Sequence, residues 1–190
     1  MGYYDLEDVL ADGSEVPCKF QYSMPGLGYL AGNAGKPIEK NAKMMLPLWL
    51  ARVLAIVGGG EGEEVADDEE ALPFVELSRP EMFSAKVVNA IKADAASLDL
   101  HSVNSHFYML AIKWIALFGD AELGSVVAEM VMERSLELNG HASSVGVSAV
   151  EWQASQPGSP FLLTLDESEK ETYRRAHDSY RRTKRWMLEK

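Results

Sequence analysis

The sequence predicts an α+β chain, a small β-rich N-terminal region followed by a mainly α-helical bundle. Three observations carry that class. Apolar and polar side chains alternate from residue 16 to 22, the period of a strand. A proline at position 47 divides a short extended stretch from an apolar run. Beyond residue 78, apolar side chains recur every three or four positions in segment after segment.

The elements follow in order. Asp5 can cap two helical turns ending at Asp12, in which Leu6, Val9 and Leu10 share a face. Val16, Cys18, Phe20 and Tyr22 then alternate with Pro17 and Lys19. Proline cannot donate to a ladder, so Pro17 favours a sheet edge or the start of its strand. A second, brief strand is expected over Leu27–Ala31, between turns, and a third, weaker one in the stretch ending at Leu46. Residues before proline are pushed out of the helical region, and proline suits a helix's first turn, where its missing N–H loses no bond. The segment 47–57 therefore reads as a helix, closed by Gly58 and Gly59. Residues 1–57 make a small domain, marginal alone. Residues 58–71 hold seven acids and four glycines with almost nothing to pack; together with the residues up to 77 they read as an acidic, Gly-rich linker or insertion.

The helical region spans 78–190. Ser78 and Glu81 stand at capping-box spacing ahead of a stripe of Phe83, Val87, Val88, Ile91, Ala95 and Leu98. An apolar helix follows from a cap at Asn104 or Ser105 to a stop at Gly119, with Lys113 its only formal charge. Asp120 caps the next helix, which turns Leu123, Val127, Met130, Val131 and Leu138 inward, keeps Glu129, Glu133 and Glu137 wet, and stops at Gly140. Residues 141–160 read as a loop. The last helix opens on a capping box of Asp166 and Glu169, with Glu171–Arg175 and Asp178–Arg182 at i,i+4 spacing.

Composition narrows the function. The formal charge of −11 repels duplex DNA overall, so little or no direct DNA binding by the isolated chain is expected. The basic C-terminal helix leaves a nucleic-acid-binding module as one alternative, although its interleaved acids fit a solvated face better. A single cysteine excludes an intramolecular disulfide and suits a reducing compartment. The N-terminus lacks the basic and apolar regions of a signal peptide, Leu6 stands where a myristoylation signal favours Ser or Thr, and no apolar run nears the ~18 residues of a membrane span. A soluble, intracellular chain is expected.

Chemistry is hard to find. His101, His106, His141 and His177 form no zinc-site spacing, and one cysteine anchors no metal cluster. The stretch 26–31 matches GxGxxA in letters, but Asn33, Gly35 and Pro37 forbid the helix that a dinucleotide loop opens, so it reads as a turn. Cys18 on its alternating strand reads as core. No catalytic residue, cofactor or metal site is assigned, and a small enzyme with an unrecognised site is the remaining alternative. What stands out is apolar excess: the 47–57 and 106–118 helices are apolar nearly all round and demand burial on every side. The first belongs to a domain too small to surround it, so partner surface is the simplest cover.

Five stretches, YYDLEDVLADGSEVPCKF, MPGLGYL, MLPLWLA, DLHSVNSHFY and FLLTLDESE, occur in an order that resembles the GINS complex of eukaryotic DNA replication, specifically its third partner-of-Sld-five (Psf) subunit family. The resemblance spans nearly the whole chain; LPLWLA and HFY are its most specific pieces. It implies a B domain preceding a helical A domain, and a non-catalytic scaffold subunit of a nuclear heterotetramer. It implies the three other GINS subunits as partners, with the MCM ring and a RecJ-like protein joining them in the CMG replicative helicase, and the leading-strand polymerase as an indirect partner. Carried onto these residues, it places Leu46, Trp49, Leu50 and Leu54 between the B domain and the helical body. Phe107, Tyr108, Trp114 and Phe118 would serve the A-domain core and its subunit contacts. The acidic 58–71 stretch and the 141–160 segment depart from the family pattern.

Overall fold

A computed structural model describes residues 5–57, 73–144 and 160–189. The chain divides into two compact units, Met1–Glu81 and Met82–Lys190. The first is α+β and the second α-helical, as the sequence predicts.

In the first unit, α1 (Leu6–Asp12) starts where Asp5 accepts a hydrogen bond from the Glu7 N–H. Its expected apolar face stays in solvent: α1 buries Ala11, while Leu6, Val9 and Leu10 are exposed. β1 (Glu15–Phe20) buries Val16, Cys18 and Phe20 on one face. Tyr22 lies beyond it. β1 is the middle strand of an antiparallel sheet ordered β2–β1–β3, with β2 (Lys43–Pro47) pairing Val16 with Leu46 and Cys18 with Met44. Pro17 is tolerated there because β3 (Val75–Leu77) ends opposite Cys18; the Pro17 carbonyl accepts from the Ser78 N–H at 2.8 Å and nothing is donated back.

β3 corrects the expected strand order. The sheet's third strand comes from beyond the acidic stretch, and Leu27–Ala31 is no strand; Gly28–Ala31 is a 3-10 turn. There, a Cβ on Gly28 would lie 2.1 Å from the Lys36 carbonyl oxygen and 2.4 Å from that of Asn33, and Gly32 closes the turn at φ +74°. The loop folds back on its own backbone and leaves no room for a strand's side chain.

Pro47 ends β2 and sits at the N-cap of α2 (Leu48–Ile56), so the helix begins one residue later than expected. Leu48 and Ala51 face the sheet. Gly58, Gly59 and the acidic linker lie outside the described residues.

In the second unit the first helix starts later than the Ser78–Glu81 spacing suggested. Glu81–Phe83 is a 3-10 turn and α3 runs Ala85–Ala93. Phe83, Val88, Ile91 and Ala95 are buried as expected. After α4 (Leu100–Val103), α5 (Phe107–Phe118) begins at an N-cap His106, whose N–H is held by Asn104 Oδ1 at 2.7 Å, and ends at Gly119 in the left-handed region. Asp120 accepts from the Leu123 N–H and opens α6 (Ala121–Ser144). Gly140 does not stop α6, which runs on one further turn; Val131 is exposed, and Arg134 takes an inward position instead. So the first four residues of the expected 141–160 loop are helical, and residues 145–159 lie outside the described residues. After α7 (Pro160–Leu163), α8 (Glu167–Leu188) starts at the predicted Asp166–Glu169 capping box, both halves of which form. The Glu171–Arg175 pair also forms.

The bundle core joins Phe83, Phe107 and Trp114 by tilted and edge-on ring contacts, with centroids 5.7 and 5.9 Å apart. A second cluster packs Leu138, Ala142, Phe161, Leu165 and Tyr173.

Candidate protein–protein interface

Each exposed apolar surface here is positioned by a buried anchor. On α2 the anchor is Leu48 and Ala51. A helix that turns those two inward must turn Trp49, Val53 and Ile56, at i, i+4 and i+7, outward together. Trp49 is 51% exposed and Ile56 76%. Leu50 and Leu54 are half-buried between the two faces.

In the helical unit the anchor is ionic. Arg134, 1% exposed, binds Glu169 through two parallel bonds, Nε–Oε1 at 2.7 Å and Nη2–Oε2 at 2.9 Å. Its Nη1 donates to the carbonyls of Ala95 and Leu98, and its guanidinium lies over the Phe161 ring. The Tyr108 hydroxyl donates to Glu169 Oε1 at 2.8 Å, and Asp166 accepts from the N–H groups of Tyr108 and Glu169. One arginine thus ties α5, α6, α8 and the α3–α4 turn together. Burial lowers the Arg134 pKa, and the bond and charge of Glu169 more than reverse that, leaving it raised. Burial first, then the Glu169 charge and hydrogen bond, raise the Tyr108 hydroxyl well above the usual range. Burial pushes Asp166 up to about 6, against the two backbone bonds that favour its charged form. The network is saturated with internal partners, so it fixes helices rather than offering a reactive group.

With the helices so fixed, Ile112, Leu117 and Phe118 on α5 and Met132 and Leu136 on α6 point outward, Leu136 being 73% exposed. Phe118 leans on Trp114, centroids 4.2 Å apart.

The structure sorts the eight residues singled out from the sequence. Leu46, Phe107, Tyr108 and Trp114 are buried within their own units, Leu50 and Leu54 are intermediate, and only Trp49 and Phe118 present large exposed surface. Sequence reasoning passed over Val53, Ile56, Met132 and Leu136, because an all-apolar helix does not say which side meets its own core. It also missed Arg134. The signal was present: Arg134 stands between Met130 and Leu138 in an i, i+4, i+8 series, a charge inside an apolar stripe.

Cys18 donates to the Val16 carbonyl, and burial pushes its thiol up to about 11, so it stays protonated and inert. Among the described residues no group of three or more His, Cys, Asp or Glu is placed to hold a metal ion, and no helix is long and apolar enough to cross a membrane.

Comparison with known proteins matches residues 4–56 to the PSF3 N-terminal domain and residues 82–188 to the GINS complex protein helical bundle domain. The chain belongs to the PSF3 family of GINS proteins. It is 58% identical over the full length of both chains to the "DNA replication complex GINS protein PSF3" of Saccharomyces cerevisiae. To the proteins of that name from Eremothecium gossypii and Kluyveromyces lactis it is 58% and 50% identical, covering 98% and 99% of each chain. The two family matches fall on either side of the acidic stretch, one in each compact unit. The apolar face of α2 therefore lies within the match to the PSF3 N-terminal domain, and those of α5 and α6 within the match to the GINS helical bundle domain.

Proposed function

We propose that this chain is a non-catalytic structural subunit of a nuclear GINS heterotetramer that joins the MCM ring and a RecJ-like protein in the CMG replicative helicase. The leading-strand polymerase would be served indirectly. One observation carries the assembly role: helices anchored firmly on one side leave apolar faces uncovered on the other. Burying a side chain the size of Leu, Ile or Phe contributes about 1.5–3 kcal/mol, so Trp49, Val53, Ile56, Met132 and Leu136 together represent stabilisation that only a partner surface can supply. Relatives 58% identical over the full length and named for a GINS replication complex support the other GINS subunits as those partners.

The test is co-expression with the three other GINS subunits. One particle with each chain in equal amount, separating as a single species by size and mass, is the expected result, and adding the MCM ring and RecJ-like partner should yield a larger complex. A chain that stays monomeric beside them, with no dye-accessible apolar surface, would overturn the proposal.

A further inference from the structure

β2 is an outer strand of the sheet, and its register says which backbone groups face outward. Phe20 donates to the Ala42 carbonyl at 3.0 Å and Leu48 donates to that of Ser14 at 2.9 Å, with Cys18 opposite Met44 and Val16 opposite Leu46 between them. In an antiparallel ladder the residues between bonded pairs turn their N–H and C=O groups the other way. Lys43 and Met45, opposite Lys19 and Pro17, therefore direct theirs away from β1, and among the described residues no loop or helix bonds to them. Both side chains are exposed, Met45 by 53%. The approach to this edge is basic. Lys36, Lys40 and Lys43 stand against Glu39 alone over residues 36–43, and none of these lysines pairs with an acid of the described residues.

We propose that the outer edge of β2 takes an extended, acidic segment of another protein as a fourth strand. Backbone bonds to Lys43 and Met45 hold it; a carboxylate beside Lys43 and an apolar side chain beside Met45 select it. This surface is distinct from the apolar helix faces and stands apart from the assembly role. The edge is restricted rather than open to any strand: Pro47, with no N–H, ends it, and the lysine deters basic or neutral strands. A second copy of this chain would set lysine beside lysine. A phosphate backbone has no donors for the Lys43 and Met45 carbonyls. The chain's own acidic stretch is tied to the far side of the sheet, where the Phe74 N–H, next to β3, bonds the Val57 carbonyl at 3.2 Å.

The experiment uses the full-length chain and two fluorescent heptapeptides, one alternating Glu with Val and the other Lys with Val. The Glu peptide should bind about tenfold more tightly than the Lys peptide at low salt, and the ratio should shrink as salt rises. Met45→Pro removes an N–H that β1 does not use, and Lys40→Glu/Lys43→Glu reverses the charge without touching the backbone; each should weaken binding of the Glu peptide about tenfold. Hydrogen exchange gives the position: the peptide should slow exchange of the Met45 N–H about tenfold, while those of Met44 and Leu46, already bonded to β1, change little. Should Met45→Pro fail to fold, the charge variant and the exchange measurement still decide. Equal binding of the two peptides, no binding, or unchanged exchange at Met45 overturns the proposal. So does a Met45 N–H already slow in the free chain, which assigns the edge to a second copy or to residues 58–71; the two are separated by whether exchange depends on concentration. Displacement of the Glu peptide by a single-stranded oligonucleotide assigns the lysines to nucleic acid and likewise overturns it. The assembly role is untouched by each of these failures.

Discussion

Arg134 shows how much one side chain can decide. Its five donors are spread over Glu169, two turn carbonyls and the Thr164 region, with almost no water in contact. Removing it leaves the buried Glu169 carboxylate with the Tyr108 hydroxyl and the Asp166 backbone N–H as donors but no counter-charge, and breaking such a pair costs about 3–5 kcal/mol. Arg134→Met should therefore lower denaturant or thermal stability by that order, and Arg134→Met/Glu169→Gln should recover much of it, because the buried charge goes while Tyr108 keeps its acceptor. An Arg134→Met chain as stable as wild type would contradict this account. Asp166 gives a second, pH-dependent expectation. Its carboxyl holds a proton up to about pH 6 when folded, against an ordinary 3.8. The folded state then binds more protons between those values, so this group's contribution is full below the lower value and is lost as pH rises through the upper one. Stability measured relative to Asp166→Asn, which keeps a capping oxygen, should fall on going from pH 4 to pH 7.

At the scale of elements, the caps were legible and the stops were less so. Asp5, Asp120 and the Asp166–Glu169 box act where they were expected, because a cap is a local bond between a side chain and an N–H two or three residues away. Gly140 misled because a glycine inside a helix costs only about 1 kcal/mol relative to alanine, and the packing of Leu138 and Ala142 outweighs that. Its Cα faces open space at helical backbone angles. Gly140→Ala should accordingly stabilise the bundle by about 0.5–1 kcal/mol, read as a higher denaturation midpoint with an unchanged slope. Were Gly140 a true helix terminator, the same change would destabilise. The strand expected over Leu27–Ala31, in a stretch whose glycine pattern reads as a turn, and the late start of α3 at Ala85 went wrong for the opposite reason. Backbone contacts made across a loop, such as Gly28 with Asn33 and Lys36, leave no periodic trace.

For the molecule as a whole, the apolar excess read from the sequence has two fates. Trp114 is enclosed by its own unit and Trp49 is not. The 106–118 helix is therefore largely satisfied within the chain, and the unmet demand falls on α2 and the outer sides of α5 and α6. Trp49→Ser/Ile56→Ser should reduce binding of an apolar dye by the isolated chain and weaken its entry into the co-expressed complex, with little change in the chain's own unfolding midpoint. If the midpoint falls by several degrees, those side chains belong to the chain's own core and the interface assignment for α2 fails.

The sequence by itself determined the α+β division, the β1 alternation, the break at Pro47 and the principal caps, because each depends on residues within a few positions of one another. It also carried the family likeness, through the order of short motifs. The tertiary structure alone decided that the sheet borrows Val75–Leu77 from beyond the acidic stretch, that Arg134 meets a glutamate thirty-five positions away, and which side of each apolar helix is left uncovered. Those are outcomes of competition among distant surfaces for the same burial, and a run of leucines and isoleucines looks alike whichever of its faces wins.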